Sequence, residues 1–103
     1  MAEGYEPQPL GVSGKIVPDP TNYPYVNFVT YGKIVVISAS VTMSGGGVHI
    51  SISGFPKAPS YIAVPVLNDT GYADINSSGE FGIRSNTSGE HYVFCALVYI
   101  MAD

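Results

Sequence analysis

Gly32-Lys33-Ile34-Val35-Val36-Ile37-Ser38-Ala39-Ser40-Val41-Thr42-Met43 is the longest β-branched run in the first half of the chain. Glycine opens it and Ser44-Gly45-Gly46-Gly47 closes it. From Val35 every second residue is apolar: Val35, Ile37, Ala39, Val41, Met43. Period two is the mark of a strand with one face in a core. The opposite face starts apolar with Ile34 and Val36, then turns polar at Ser38, Ser40 and Thr42. Half of that second face is therefore expected to be covered, and the covering surface has to be found elsewhere.

Outward from this stretch, the same period recurs. Tyr25 to Tyr31 reads as a strand with Val26 and Phe28 on one face, and Gly32 offers a tight turn into the next strand. After the glycine run, Val48, Ile50 and Ile52 alternate with His49, Ser51 and Ser53, and the short Gly-rich loop predicts a hairpin with the preceding strand. Tyr61 to Leu67 follows, with Ile62, Val64 and Val66 inward; Pro65 has no ladder donor, which predicts an edge strand. Tyr72 to Asn76 and Phe81 to Arg84 flank the turn Asn76-Ser77-Ser78-Gly79. His91 to Met101 differs from the rest. Tyr92, Phe94, Ala96, Val98 and Ile100 share one face and Val93, Cys95, Leu97, Tyr99 and Met101 the other, so both faces need cover. A sandwich supplies one cover, and a second copy of the chain is the simplest source of the other.

The sum is an all-β antiparallel sandwich, jelly-roll-like, with no helical period. Residues 1–24 hold Pro7, Pro9, Pro18, Pro20 and Pro24 and read as an extended Pro-rich arm or linker. Residues 25–103 are expected to form the β-sandwich domain. At 103 residues the chain is one domain rather than two. Charged types are 12% of the sequence, about half the usual ~25%. With a net charge of −4 and Lys15, Lys33, Lys57 and Arg84 scattered, no basic stripe is available for nucleic acid or an anionic membrane. No signal peptide is visible, and no apolar run is long enough to span a bilayer. Asn68-Asp69-Thr70, Asn76-Ser77-Ser78 and Asn86-Thr87-Ser88 fit the glycosylation pattern but sit in turns that favour such residues anyway.

Chemistry is sparse. Cys95 is the single cysteine, expected to be a buried inert thiol; His91, four residues away on an extended strand, lies ~13 Å off. His49 and His91 show no metal-ligand spacing, so no metal or other cofactor is expected. No G-x-S-x-G elbow or phosphate loop occurs. Asp74 and Glu80 flank one hairpin as a conceivable carboxylate pair, though surface polarity explains them as well. The chain is therefore not expected to be an enzyme. Tyrosine is the remaining signal. Tyr61 and Tyr72 fall outward on neighbouring strands beside Asp74 and Asn76, a set suited to sugar or peptide, or to the rim of an oligomer interface. Ile34, Val36, Val93, Leu97 and Tyr99 are the expected oligomer-interface residues.

The order Tyr31-Gly32-Lys33-Ile34-Val35-Val36-Ile37, then Ile52-Ser53-Gly54-Phe55-Pro56, then Ile75-Asn76-Ser77-Ser78-Gly79-Glu80-Phe81-Gly82-Ile83, then Tyr92-Val93-Phe94 to Val98-Tyr99-Ile100 resembles the terminal head domains of bacteriophage tail-fibre and baseplate receptor-binding proteins. The likeness spans roughly residues 25 to 101. It implies a sandwich head, a homotrimer about a fibre axis, other virion proteins as neighbours, and attachment to a host-surface glycan or protein. It also implies a place in the virion after synthesis in the host cytoplasm. Two departures stand out: there is no fibre shaft or coiled coil, and there is no tryptophan of the kind common in glycan pockets. A small capsid-decorating or fibre-building protein is the alternative.

Overall fold

Alternating apolar residues drive seven strands into two antiparallel sheets, seen in a computed structural model that describes residues 11–103. The strands are β1 (Val26–Tyr31), β2 (Ile34–Met43), β3 (Val48–Ile52), β4 (Ile62–Pro65), β5 (Tyr72–Ile75), β6 (Phe81–Ser85) and β7 (His91–Ile100). Sheet A runs β1-β2-β7 and sheet B runs β3-β6-β5-β4. The first ten residues of the arm, 1–10, lie outside the described residues. From Gly11 the arm runs antiparallel beside β1, bridging Val12 to Tyr31 and Ile16 to Phe28.

Period two sets which side chains meet between the sheets. Val35, Ile37, Ala39, Val41 and Met43 of β2 are all buried, as the opening stretch predicts. From sheet B, Ala73, Ile75, Phe81 and Ile83 face them, each fully buried. Phe55, from the β3–β4 connection, fills the centre between Phe28 and Phe81 with ring centroids 5.5 and 5.3 Å away. Tilted aromatic contacts at this range favour the edge-to-face attraction as well as burial.

Two expectations need correcting. β2 and β3 do not form a hairpin. Both flanks of β2 are occupied, by β1 and β7, and β3 pairs with β6 in the other sheet. The glycine run is a corner between sheets. The second correction concerns the interface residues. Val93, Leu97 and Tyr99 lie in the core of a single chain. The two faces of β7 are equally apolar in sequence, so its parity is set by pairing. Val93 stands opposite Val41, Leu97 opposite Ile37 and Tyr99 opposite Val35, all inward residues of β2. Tyr99 also donates its hydroxyl to the Pro56 carbonyl at 2.6 Å, and burial raises its pKa to about 12. The outward set is Tyr92, Phe94, Ala96, Val98 and Ile100. Ile34 and Val36 are on the outer side of sheet A, exposed and half-buried respectively.

The sheets join at one end. Leu67, just past β4, donates its N–H to the Phe94 carbonyl at 2.9 Å. Asn68 continues the pairing with its side chain, donating to Tyr92 O at 2.6 Å and accepting from Phe94 N at 3.1 Å. β4 is an edge strand, as Pro65 predicts.

Candidate functional site

The outer face of sheet B carries the polar and aromatic side chains. Strand pairing places them in two cross-strand rows. His49, Arg84, Tyr72 and Pro65 form one; Ser51, Gly82, Asp74 and Ala63 form the next. Tyr61 precedes β4 and donates its hydroxyl to Asp74 Oδ2 at 2.9 Å. That hydrogen bond is the main cause of a raised Tyr61 pKa. Arg84 Nε donates to the Tyr72 hydroxyl at 3.1 Å while its guanidinium carbon lies 5.9 Å from the Tyr72 ring centre. The tyrosine is thereby fixed at both its rim and its face.

Gly82 is the floor. A Cβ at this position would lie 2.7 Å from Asp74 Oδ1 and 2.9 Å from His49 Nε2. Only a bare Cα lets a carboxylate from β5 and an imidazole from β3 close over β6 from opposite sides. The result is an acceptor and a ring nitrogen converging above one backbone position, bordered by two tyrosines and a guanidinium.

Of the four residues expected to bind ligand, Tyr61, Tyr72 and Asp74 come together here. Asn76 does not join them. Its side-chain oxygen accepts from Ser78 N at 2.9 Å and Glu80 N at 3.1 Å, and its amide donates to Glu80 Oε1 at 3.1 Å. It is spent on the β5–β6 turn, the usual local role of Asn. Glu80 is held in the same turn, so it makes no pair with Asp74. His49, Gly82 and Arg84 join the site unannounced by the sequence reading. The signal was present in register: Gly82 and Arg84 lie on β6, beside Tyr72 and Asp74 of β5, and His49 lies outward on β3 one strand further on.

A second cluster, at the end where the sheets join, has the composition of a hydrolytic triad. Ser85 Oγ is 2.5 Å from Asp69 Oδ2 and 2.6 Å from His91 Nε2, and His91 Nδ1 is 2.6 Å from the Gly89 carbonyl. The roles are wrong for nucleophilic catalysis. In a triad the carboxylate orients the histidine through the ring nitrogen remote from the serine. Here Asp69 binds the serine itself, and Nδ1 faces a backbone carbonyl. Ser85 is also fully buried, leaving no approach for a substrate. Asp69 accepts further bonds from Gly71 N at 2.9 Å and Asn86 N at 3.0 Å. The Ser85 hydroxyl, then these N–H groups, hold its carboxyl well below the usual range. The cluster is a latch between the β4–β5 and β6–β7 loops. Cys95 is buried, and that burial raises its thiol to about 12, far from nucleophilic use.

The outer side of sheet A differs in kind. Val12, Tyr31, Ile34 and Ile100 stand in one cross-strand row, 60%, 40%, 40% and 62% exposed. At its other end an open groove of about 300 Å³ is lined by Tyr23, Pro24, Tyr25, Ser40, Thr42 and Tyr92. Among the described residues no group of three or more His, Cys, Asp or Glu is placed to hold a metal. Among the same residues no helix is long and apolar enough to cross a membrane. Comparison with protein-family models, with curated proteins and with solved structures finds no match.

Proposed function

We propose that the chain is the head of a virion attachment protein, a tail-fibre or baseplate tip, that binds a host-surface saccharide without chemistry on it. The observation that carries this reading is the convergence of Asp74 and His49 over Gly82 between Tyr61 and Tyr72. A sugar hydroxyl is both donor and acceptor. It can donate to the Asp74 carboxylate while accepting from the imidazole N–H or from Arg84, and the tyrosine rings offer faces to the C–H side of a pyranose. One shallow site of this kind binds weakly; several copies on one particle gain avidity. The resemblance to phage fibre heads supplies the setting, and a homotrimer with host glycan on one side and virion proteins on the other is the arrangement it implies.

Glycan-array binding by the full chain, compared with Gly82→Ala and Asp74→Asn, tests this. The added methyl in Gly82→Ala displaces two side-chain ends and comes within 3.2 Å of the Ile50 carbonyl, so β3 must also give slightly there, whereas Asp74→Asn leaves the backbone alone. Binding by the parent and its loss in both variants is the expected result. Equal binding by all three would place the ligand elsewhere. The apolar row on sheet A favours a second reading, a fibre-building or capsid-decorating protein. Saturable binding to virions with no glycan or cell binding would establish that one instead.

A further inference from the structure

Arg84 is the one Lys or Arg side chain drawn partly out of water. Lys15, Lys33 and Lys57 are exposed, and Lys33 meets the Asp103 carboxylate. Arg84 is half-buried, with no carboxylate in ion-pair range among the described residues. A ring and a hydroxyl hold it instead. Its Nε donates to the Tyr72 hydroxyl at 3.1 Å, and its guanidinium carbon lies 5.9 Å from the Tyr72 ring centre. The two terminal NH2 groups make no hydrogen bond to a described residue.

The backbone beneath this side chain is fixed as well. Gly71 packs so closely on the Arg84 carbonyl that a Cβ there would overlap it. Ser85, the next residue, is held by Asp69 and His91. A guanidinium set on a pinned strand, and fixed at its Nε and along one face, has little freedom left to lose when an anion binds. Its terminal nitrogens present parallel N–H donors in one plane, which match the two oxygens of a carboxylate.

The surrounding charge narrows the anion. Asp74 is the diagonal neighbour of Arg84 across the β5–β6 pair, ~7–8 Å away by strand geometry, and the two make no ion pair. One guanidinium near one carboxylate suits a singly charged group. A phosphate monoester, with a charge approaching −2 at neutral pH, would meet Asp74 with more repulsion. His49, directly across from Arg84 on β3, adds an imidazole and no negative charge. An acidic monosaccharide carries a carboxylate on one side of its ring and hydroxyls on the other, so it can use Arg84 and Asp74 together.

We infer that the sugar bound here is an acidic one, a uronic or sialic acid. Its carboxylate pairs with the terminal nitrogens of Arg84 while a ring hydroxyl donates to Asp74. This rests on the saccharide-binding reading above and adds the class of sugar to it.

Array binding by the full chain tests it without altering the protein. The probes are glucuronate-, galacturonate- and sialate-terminated oligosaccharides, each beside its carboxyl-reduced counterpart. Reduction puts a hydroxymethyl group in place of the carboxylate and should weaken binding about tenfold or more, the scale of hydrogen bonds to charged groups. Arg84→Gln should abolish the difference between acidic and reduced forms, with an unchanged denaturation midpoint as the check on folding. Arg84→Lys keeps the charge and loses the planar fork, so it should retain only part of the preference. Equal binding of acidic and reduced glycans by the parent overturns the inference and leaves the saccharide reading standing. Tighter binding of sulfated or phosphorylated counterparts does the same. A carboxylate preference that persists in folded Arg84→Gln assigns the anion to another group and also overturns it. Binding to no glycan at all overturns both.

Discussion

One outer row of sheet A reads Val12, Tyr31, Ile34, Ile100, while one outer row of sheet B reads His49, Arg84, Tyr72, Pro65. Both rows rest on the same inner alternation and the same core, so the difference owes nothing to the demands of folding. A solvated face of a sandwich normally turns polar. Sheet B does so, and its polar groups are organised by hydrogen bonds and by the bare Cα of Gly82. Sheet A leaves large apolar side chains in water. On the proposed reading the contrast separates two tasks: recognition of a polar ligand on one side and association through apolar contacts on the other.

The strongest test of the shared foundation is Phe81→Ala. Phe81 is fully buried and touches Phe55, which touches Phe28 of the other sheet. Truncation should cost ~3–5 kcal/mol, by lost transfer energy and a cavity. Chemical denaturation would show it, and ligand binding and self-association should fall together. If one survived intact, the two faces would not share a core.

Next in size is the latch. Ser85→Ala removes the shortest hydrogen bond to Asp69 and leaves a carboxylate short of a donor, a loss of ~1–3 kcal/mol. Its pH dependence has a definite sign. The folded Asp69 carboxyl titrates below its unfolded value, so its contribution is complete above the ordinary carboxylate range and is lost as pH falls through the lower folded value. Urea midpoints at about pH 5 and about pH 2.5 should differ more in the parent than in Asp69→Asn. An equal difference would mean other carboxylates carry the acid sensitivity.

Much of this architecture was legible in the sequence, for a physical reason. Alternation at Val35–Met43 and Ala73–Ile83 fixes which side chains are inside, and Pro65 marks an edge because it has no N–H to give. Failures came where local pattern does not determine partner. A glycine run permits a hairpin or a corner equally, and β2 had its flanks filled by strands distant in sequence. β7 is apolar on both faces, so only its pairing with β2 chose Val93, Leu97 and Tyr99 for the core. Tyr61, Tyr72 and Asp74 were legible as outward neighbours. His49 and Arg84 needed the β3–β6–β5 order, and Asn76 was claimed by its own turn. Ser85 gave no signal at all, since a serine at a strand end is commonplace until Asp69 and His91 fold onto it.

A site substitution should leave the fold nearly untouched. Asp74 is half-buried, and its Oδ2 accepts from the Tyr61 hydroxyl. Asp74→Asn keeps the shape and removes the charge-assisted acceptor. Stability should move by no more than ~0.5 kcal/mol, the range for surface changes. Saccharide affinity should fall about tenfold or more, since hydrogen bonds to charged groups carry ~1.5–3 kcal/mol. Calorimetry with an array-selected sugar would measure it, and unchanged self-association would confirm that the faces act separately.

The smallest effect on the single chain, and the sharpest on the contrast, belongs to Ile34→Ser. Ile34 is 40% exposed on the outer side of sheet A, between Tyr31 and Ile100. In an isolated chain the change trades a half-wet apolar group for a polar one, and the thermal midpoint should barely shift. In an assembly that covers this row, the same change places an unpaired hydroxyl among Val12, Tyr31 and Ile100, and association should weaken several-fold in light scattering. If Ile34→Ser left association unchanged, the copies would meet through another surface. The apolar row would then remain exposed in the assembly.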